Sequence, residues 1–162
     1  MRKIIESTLV SLDGVFGDPH IWATEYFEPE AERYALELLS MADAMLMGRR
    51  TYEFFAAAFP IKQASTALGS TSIHKYVFSN TLKKAGWSNS SIIKGDVVAE
   101  VAKHKQQDGN DLVIYGQGLI GQTLLEGHLL DQLKLWIHPT LVGRGQLVLS
   151  GRRKNKTEAR RD

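Results

Sequence analysis

The sequence predicts a single α/β domain with a largely parallel sheet covered by helices on both faces. Apolar runs of strand length alternate with stretches of helical apolar spacing along most of the chain, and no repeat or low-complexity stretch interrupts the alternation. Two of those runs, Ala44-Met45-Leu46-Met47 and Leu112-Val113-Ile114-Tyr115, turn through glycine into a helical pattern. The 162 residues suffice for one domain, assigned to residues 1–150 with a basic, mobile tail over 151–162.

Each element follows from its residues. Lys3 to Val10 is rich in Ile, Thr and Val and reads as a strand. It leads into Ser11-Leu12-Asp13-Gly14-Val15-Phe16-Gly17-Asp18-Pro19, whose glycines and proline mark a loop. Pro29 suits a first helical position, and Ala31, Tyr34, Ala35, Leu38 and Leu39 follow at helix spacing. The helix closes over Met41 to Asp43, before the strand Ala44–Met47. Tyr52, Phe55, Ala56 and Phe59 make the apolar face of the next helix, stopped at Pro60, and residues 61–74 read as a loop.

Lys75–Ser79 is a strand and Ser91–Ile93 a shorter one; Asp96 is the N-cap of a helix through Val97, Val98, Val101 and Ala102. The strand Leu112–Tyr115, a helix ending near Gly127 and the strand Leu133–His138, closed by Pro139, complete the domain. Strict alternation over Leu133–His138 reads as one buried face, with Lys134, Trp136 and His138 on one side and Leu133, Leu135 and Ile137 on the other.

Composition excludes several classes. No run of 18 apolar residues occurs, so no membrane span is expected, and Glu6 interrupts the N-terminus too early for a secretory signal. The chain has no cysteine, which removes disulfides, thiol catalysis and thiolate metal sites. A cytoplasmic location is expected. Residues 152–162 carry six basic and two acidic side chains, so the rest sums to −2. No basic stripe with interleaved aromatics supports nucleic-acid binding. His20, His74, His104 and His128 are scattered without ligand spacing, so no metal is expected.

The glycine turns carry the chemistry. A strand that turns through glycine into a helix points unpaired N–H groups, aided by the helix dipole, at whatever lies beyond the strand. In Gly48-Arg49-Arg50-Thr51 two guanidiniums and a hydroxyl join that geometry, and guanidinium is disfavoured at a helix N-terminus unless an anion is present. Gly116-Gln117-Gly118-Leu119-Ile120-Gly121 fits G-x-G-x-x-G, but it lies late in the chain, and Asp131 precedes its strand. An ordinary dinucleotide fingerprint is thereby rejected and a phosphate-contacting turn retained. Glycines needed only for tight packing are the competing explanation.

The order of these motifs resembles a known family. The Leu12-Asp13-Gly14 loop, Ala42-Asp43-Ala44 with Gly48-Arg49-Arg50-Thr51-Tyr52-Glu53, Tyr76-Val77-Phe78-Ser79, the second glycine turn, and Leu135-Trp136-Ile137-His138-Pro139 look like the dihydrofolate reductase superfamily. Over about residues 3–149 they are similar to the branch containing the reductase domain of the bifunctional riboflavin-biosynthesis deaminase/reductase. The resemblance implies a three-layer dihydrofolate-reductase-like fold and hydride transfer from NADPH to a small pteridine- or pyrimidine-like heterocycle, as in 5-amino-6-(5-phosphoribosylamino)uracil reduction. It further implies that Gly48, Arg49, Arg50 and Thr51 face the cofactor phosphates together with Gly116, Gln117, Gly118, Leu119, Ile120 and Gly121. Ser79 and Asn80 would lie near the adenosine ribose, Asp13 and Gly14 beside the nicotinamide, and His138 on the substrate side, with Asp13 and His138 the catalytic candidates.

The chain departs from that pattern in three ways. Many relatives carry arginine where Asn80 stands, which leaves NADH possible as the cofactor. Dihydrofolate reductases proper place a carboxylate on the first helix; Glu30 and Glu32 lie in that region, and Glu32 is the candidate if the activity is dihydrofolate reduction itself. The closing C-terminal hairpin is expected to be missing, which would expose an inner strand and lead to a homodimer or to reduced stability. A non-catalytic nucleotide-binding or assembly protein that kept the fold is the alternative from another class.

Overall fold

The structure, a computed structural model, describes residues 1–26, 29–58 and 73–148, without the side chains of Glu32 and Ala58. The expectations for residues 61–72, Phe59, Pro60, the C-terminal tail and the closing hairpin lie outside the described residues. Six strands form one sheet: β1 (Ile4–Ser11), β2 (Ala42–Gly48), β3 (His74–Phe78), β4 (Ser90–Ile93), β5 (Asp111–Tyr115) and β6 (Gln132–His138). Their order is β4-β3-β2-β5-β1-β6, and every ladder is parallel. This is the α/β class and the three-layer architecture that the sequence predicts.

Helices close both faces. α1 (Pro19–Trp22) and α2 (Pro29–Ser40) follow β1, and α3 (Arg49–Ala58) follows β2. α4 (Val97–Gln106) and α5 (Leu119–Glu126) flank β5. Asp96 caps α4 as expected, its carboxylate accepting from the Ala99 amide at 2.8 Å. On one face Ile5, Met45, Met47, Val77 and Val113 pack beneath Leu38 and Leu39 of α2 and Tyr52 of α3. On the other, Ile4, Ala44, Leu46, Leu112 and Ile114 pack against Val101 of α4 and Ile120 and Leu124 of α5. Double-sided burial explains why β1, β2 and β5 read as near-continuous apolar runs.

Two elements differ from expectation. Residues 19–26 hold the short helix α1 and a single 3₁₀ turn (Thr24–Tyr26), too brief to leave a periodic signal. In β6 the alternation is real, but the covered side is not the aliphatic one. Lys134 stands over the Tyr34 ring at 5.4 Å, Trp136 meets the same ring edge-on at 4.9 Å, and His138 is buried. Leu135 and Ile137 remain 43% and 63% exposed on the opposite side. The reason is positional: among the described residues β6 pairs only with β1, and α2 reaches it through a tyrosine that favours aromatic and cationic neighbours.

The N-terminal end of the sheet is tied by polar contacts. Arg2 donates to the Asn110 carbonyl at 2.6 Å and to Asp43 at 3.3 Å, and Asp43 accepts from the Asn110 amide at 2.7 Å. Lys105 pairs with Asp131 nearby. Asp43, part of the Ala42-Asp43-Ala44 motif, is thus a clamp at the end remote from the glycine turns. No helix among the described residues is long and apolar enough to cross a membrane.

Candidate active site

Because all six strands run parallel, their carboxyl ends share one edge, and ligands of open α/β sheets bind there. The row from β4 to β6 reads Gly95; Ser79, Asn80 and Thr81; Gly48 to Thr51; Gly116 to Gly118; Asp13 and Gly14; His138. The glycine turns are neighbours, since a Cβ on Gly48 would stand 3.4 Å from Ile120 of α5.

The second turn is built for close approach. Gly116 has φ +75°, a left-handed conformation that costs other residues about 1–2 kcal/mol, and Gly118 begins α5 without a side-chain cap. A Cβ at either position would meet nothing within 4 Å. Neither α3 nor α5 has an acidic residue in its first turn, so both dipoles are left for an anion. Leu119, at the start of α5, is exposed above this turn.

Other members of the predicted set have structural duties. Gln117 is buried, its amide donating to Thr8 Oγ1 at 3.1 Å and its side chain to the Val148 carbonyl at 3.4 Å, so only its backbone faces the turn. Gly121 is a packing glycine: a Cβ there would sit 2.8 Å from Cδ of Glu6, which is fully buried on β1. Ile120 belongs to the core. The tight-packing explanation therefore holds for the third glycine and not for the first two.

Around the first turn, Arg49 bonds Glu53 at 2.6 Å and Thr81 at 2.9 Å, joining α3 to the loop after β3. Arg50 is exposed and has no ion pair among the described residues. Tyr52 accepts from the Trp87 amide at 2.9 Å and belongs to the core. Ser79 turns the chain by accepting from the Leu82 amide at 3.0 Å, and Asn80 accepts from the Gly95 amide at 3.1 Å. Both polar side chains thus shape the loop that the resemblance assigns to the ribose.

Asp13 is the most committed residue of the set. Its carboxylate accepts from Ser11 Oγ at 2.6 Å and from the Val142 and Gly143 amides at 3.1 and 2.6 Å. These bonds, led by that from Ser11, hold its carboxyl down to about 2, well below the ordinary 3.8. Gly14, with φ +81°, lets the chain double back so that Val148 donates to its carbonyl at 3.0 Å. Asp13 is thus a clasp between the loops after β1 and β6. A depressed carboxyl contributes above its unfolded value and loses the contribution as pH falls toward 2. Acidification is accordingly expected to lower the protection of the Val142 and Gly143 amides, measured as exchange relative to the intrinsic rate at each pH. Protection unchanged over that window would contradict the clasp.

His138 closes the row beside Ser11, its register partner on β1. Its Nδ1 lies 2.9 Å from the Trp136 carbonyl, and the edges of Trp22 and Tyr26 meet it at 5.6 Å each. On the same face Tyr115 donates its hydroxyl to the Ala35 carbonyl at 2.9 Å, and burial pushes its titration far up, so it stays a donor. Glu30 is exposed on α2; the side chain of Glu32 lies outside the described residues. Sequence reasoning missed Glu6, Trp22 and Tyr26. A lone carboxylate in an apolar strand was a signal for the first, whereas the aromatic pair has none outside the folded chain.

The architecture, an all-parallel sheet with the candidate site along its carboxyl edge, is that of the dihydrofolate reductase fold. The chain belongs to the family described as the RibD C-terminal domain, whose sequence model it matches over residues 2–161. It is 26% identical over 150 residues to the uncharacterized protein YyaP of Bacillus subtilis (strain 168), covering 90% of this chain and 79% of that protein.

Solved structures agree in fold. The Thermotoga maritima diaminohydroxyphosphoribosylaminopyrimidine deaminase/5-amino-6-(5-phosphoribosylamino)uracil reductase superposes with TM-score 0.65 at 14% identity, over 96% of this chain and 50% of that one. The chain thus spans half the length of that bifunctional protein. The riboflavin biosynthesis reductase of Saccharomyces cerevisiae gives 0.57 at 16% identity, over 95% and 81% of the two chains. Schistosoma mansoni dihydrofolate reductase gives 0.58 at 12%, over 92% and 81%.

Proposed function

We propose that this chain is a nicotinamide-dependent reductase of a small pteridine- or pyrimidine-like heterocycle, similar to the uracil reductases of its family. The observation that carries this reading is the order of groups along the sheet edge. Ribose-type polar groups stand on β3, two open helix N-termini follow β2 and β5, and a buried imidazole stands on β6. From β2 to β6 is three strand spacings, about 14 Å, so an extended dinucleotide laid on that edge would bring its reactive ring toward His138.

The residues fit such a cofactor. Gly116 and Gly118 leave the room a diphosphate needs, the amides in the first turn of α5 would bind it, and Arg50 supplies a guanidinium with no ion pair among the described residues. Arg49 brings a second guanidinium to Thr81, beside the position where Asn80 has no charge; this supports NADPH. Its pairing with Glu53 lowers that charge and keeps NADH in the comparison. When bound, the cofactor supplies the hydride. The protein's share is to hold the substrate ring, orient it through the loops clasped by Asp13, and exclude water.

Thermal unfolding with each dinucleotide tests this. A ligand at 100 times its dissociation constant adds about 2.7 kcal/mol of stability. A shift with NADPH, NADH or both is expected, and no shift with either would sink the reading. The second reading, a nucleotide-binding protein without catalysis, is favoured by the full engagement of Asp13. Binding without loss of reduced-cofactor fluorescence toward any candidate heterocycle would support it. A homodimer is part of the proposal, supported by the exposed Leu135 and Ile137 on the outer strand β6; light scattering reporting a monomer would remove it.

A further inference from the structure

His138 holds a hydrogen-bond acceptor that no other described residue engages. The imidazole is 6% exposed, and its Nδ1 faces the Trp136 carbonyl at 2.9 Å. A carbonyl only accepts, so Nδ1 carries the proton, and in the neutral ring Nε2 presents a lone pair. Nε2 meets no donor among the described residues.

The neighbours of the imidazole are aromatic. Trp22 and Tyr26 stand nearly perpendicular to the imidazole, at 83° and 73°, with centroids 5.6 Å away. Trp22 cannot turn its own donor toward Nε2, because its Nε1–H is given to the Gly17 carbonyl at 2.8 Å. α1 also links the cage to the dinucleotide side, since His20, two residues before Trp22, stacks on Phe54 of α3 at 5.5 Å. A buried lone pair between aromatic walls suits a flat ring that presents an N–H edge. A free carboxylate or phosphate would set its own acceptors against the lone pair.

We infer that His138 is a specificity-determining residue. Nε2 accepts from a ring N–H of a planar heterocycle held beside Trp22 and Tyr26, and rings alkylated at that nitrogen are rejected. The inference rests on the reductase reading for calling that ring the substrate; the binding test does not depend on it.

The probes are lumazine, with N–H groups at ring positions 1 and 3, and 1,3-dimethyllumazine, with both blocked. Titrated into the full chain and followed by tryptophan fluorescence, lumazine is expected to bind about tenfold more tightly, the value of one hydrogen bond to a buried acceptor. His138→Phe keeps a ring in the cage and removes the acceptor. It should lower lumazine affinity to the dimethyl level, leave the dimethyl compound unchanged, and leave the thermal shift with NADPH intact. On lumazine binding, the ¹⁵N resonance of His138 Nε2 should move more than that of Nδ1.

Equal affinity of the two lumazines for the unaltered protein overturns the inference, as does failure of both to bind. Discrimination that survives in His138→Phe also overturns it. Should His138→Phe not fold, the comparison of the two probes on the unaltered chain decides alone. Dinucleotide binding without lumazine discrimination defeats this inference only, and lumazine discrimination without dinucleotide binding defeats the reductase reading only.

Discussion

Replacing Gly121 with alanine is expected to destabilise the protein, although alanine is the better helix former. On propensity alone the change in α5 would stabilise by about 0.8–1.0 kcal/mol. The new methyl would, however, overlap the Glu6 carboxylate, which is fully buried and can retreat only into packed surroundings. Overpacking of this kind costs about 1–3 kcal/mol. The steric term exceeds the propensity gain by up to about 2 kcal/mol, or up to roughly 8 °C in the unfolding midpoint for a chain of this size. The cause is checked in a Glu6→Ala background, where the same substitution should cost nothing or stabilise. Equal destabilisation in both backgrounds would show that Glu6 is not what the glycine accommodates.

Gly118→Asp is expected to separate fold from function. The position has φ −109° and open space, so a side chain enters without strain. Aspartate is a good N-cap and complements the helix dipole, so α5 should be as stable or slightly more so, by a few tenths of a kcal/mol. The same carboxylate would occupy the cradle proposed for the diphosphate. Two like charges about 4 Å apart at an effective dielectric near 20 repel by about 4 kcal/mol, roughly a thousandfold in affinity. Calorimetry should therefore find an unchanged or raised unfolding midpoint and no measurable dinucleotide binding. Binding within a few-fold of the unaltered protein would mean that phosphates do not sit on this turn.

These two glycines, three residues apart in one motif, show how legible the chain is. The motif marks a strand–turn–helix unit, and that unit is present. It does not say which glycine serves a ligand and which serves packing. That depends on Glu6, more than a hundred positions earlier, and on the pairing of β1 with β5 that brings the carboxylate under α5. Asp13 is similar. The Leu12-Asp13-Gly14 loop was readable as a functional segment, but its carboxylate is consumed by the amides of Val142 and Gly143, which no local pattern announces. In β6 the period of two was correct, and the side that would be covered was not readable from it.

By itself the sequence determined the order of the strands and longer helices, the Asp96 cap, the absence of cysteine chemistry and the two glycine turns, because each depends on residues within a turn or two of one another. Tertiary structure alone decided that all six strand ends share one edge and that Gly48 touches Ile120. It also enclosed His138 with Trp22 and Tyr26. Such contacts join residues far apart in the chain, and their geometry is fixed by strand order and helix packing, which local propensity does not encode.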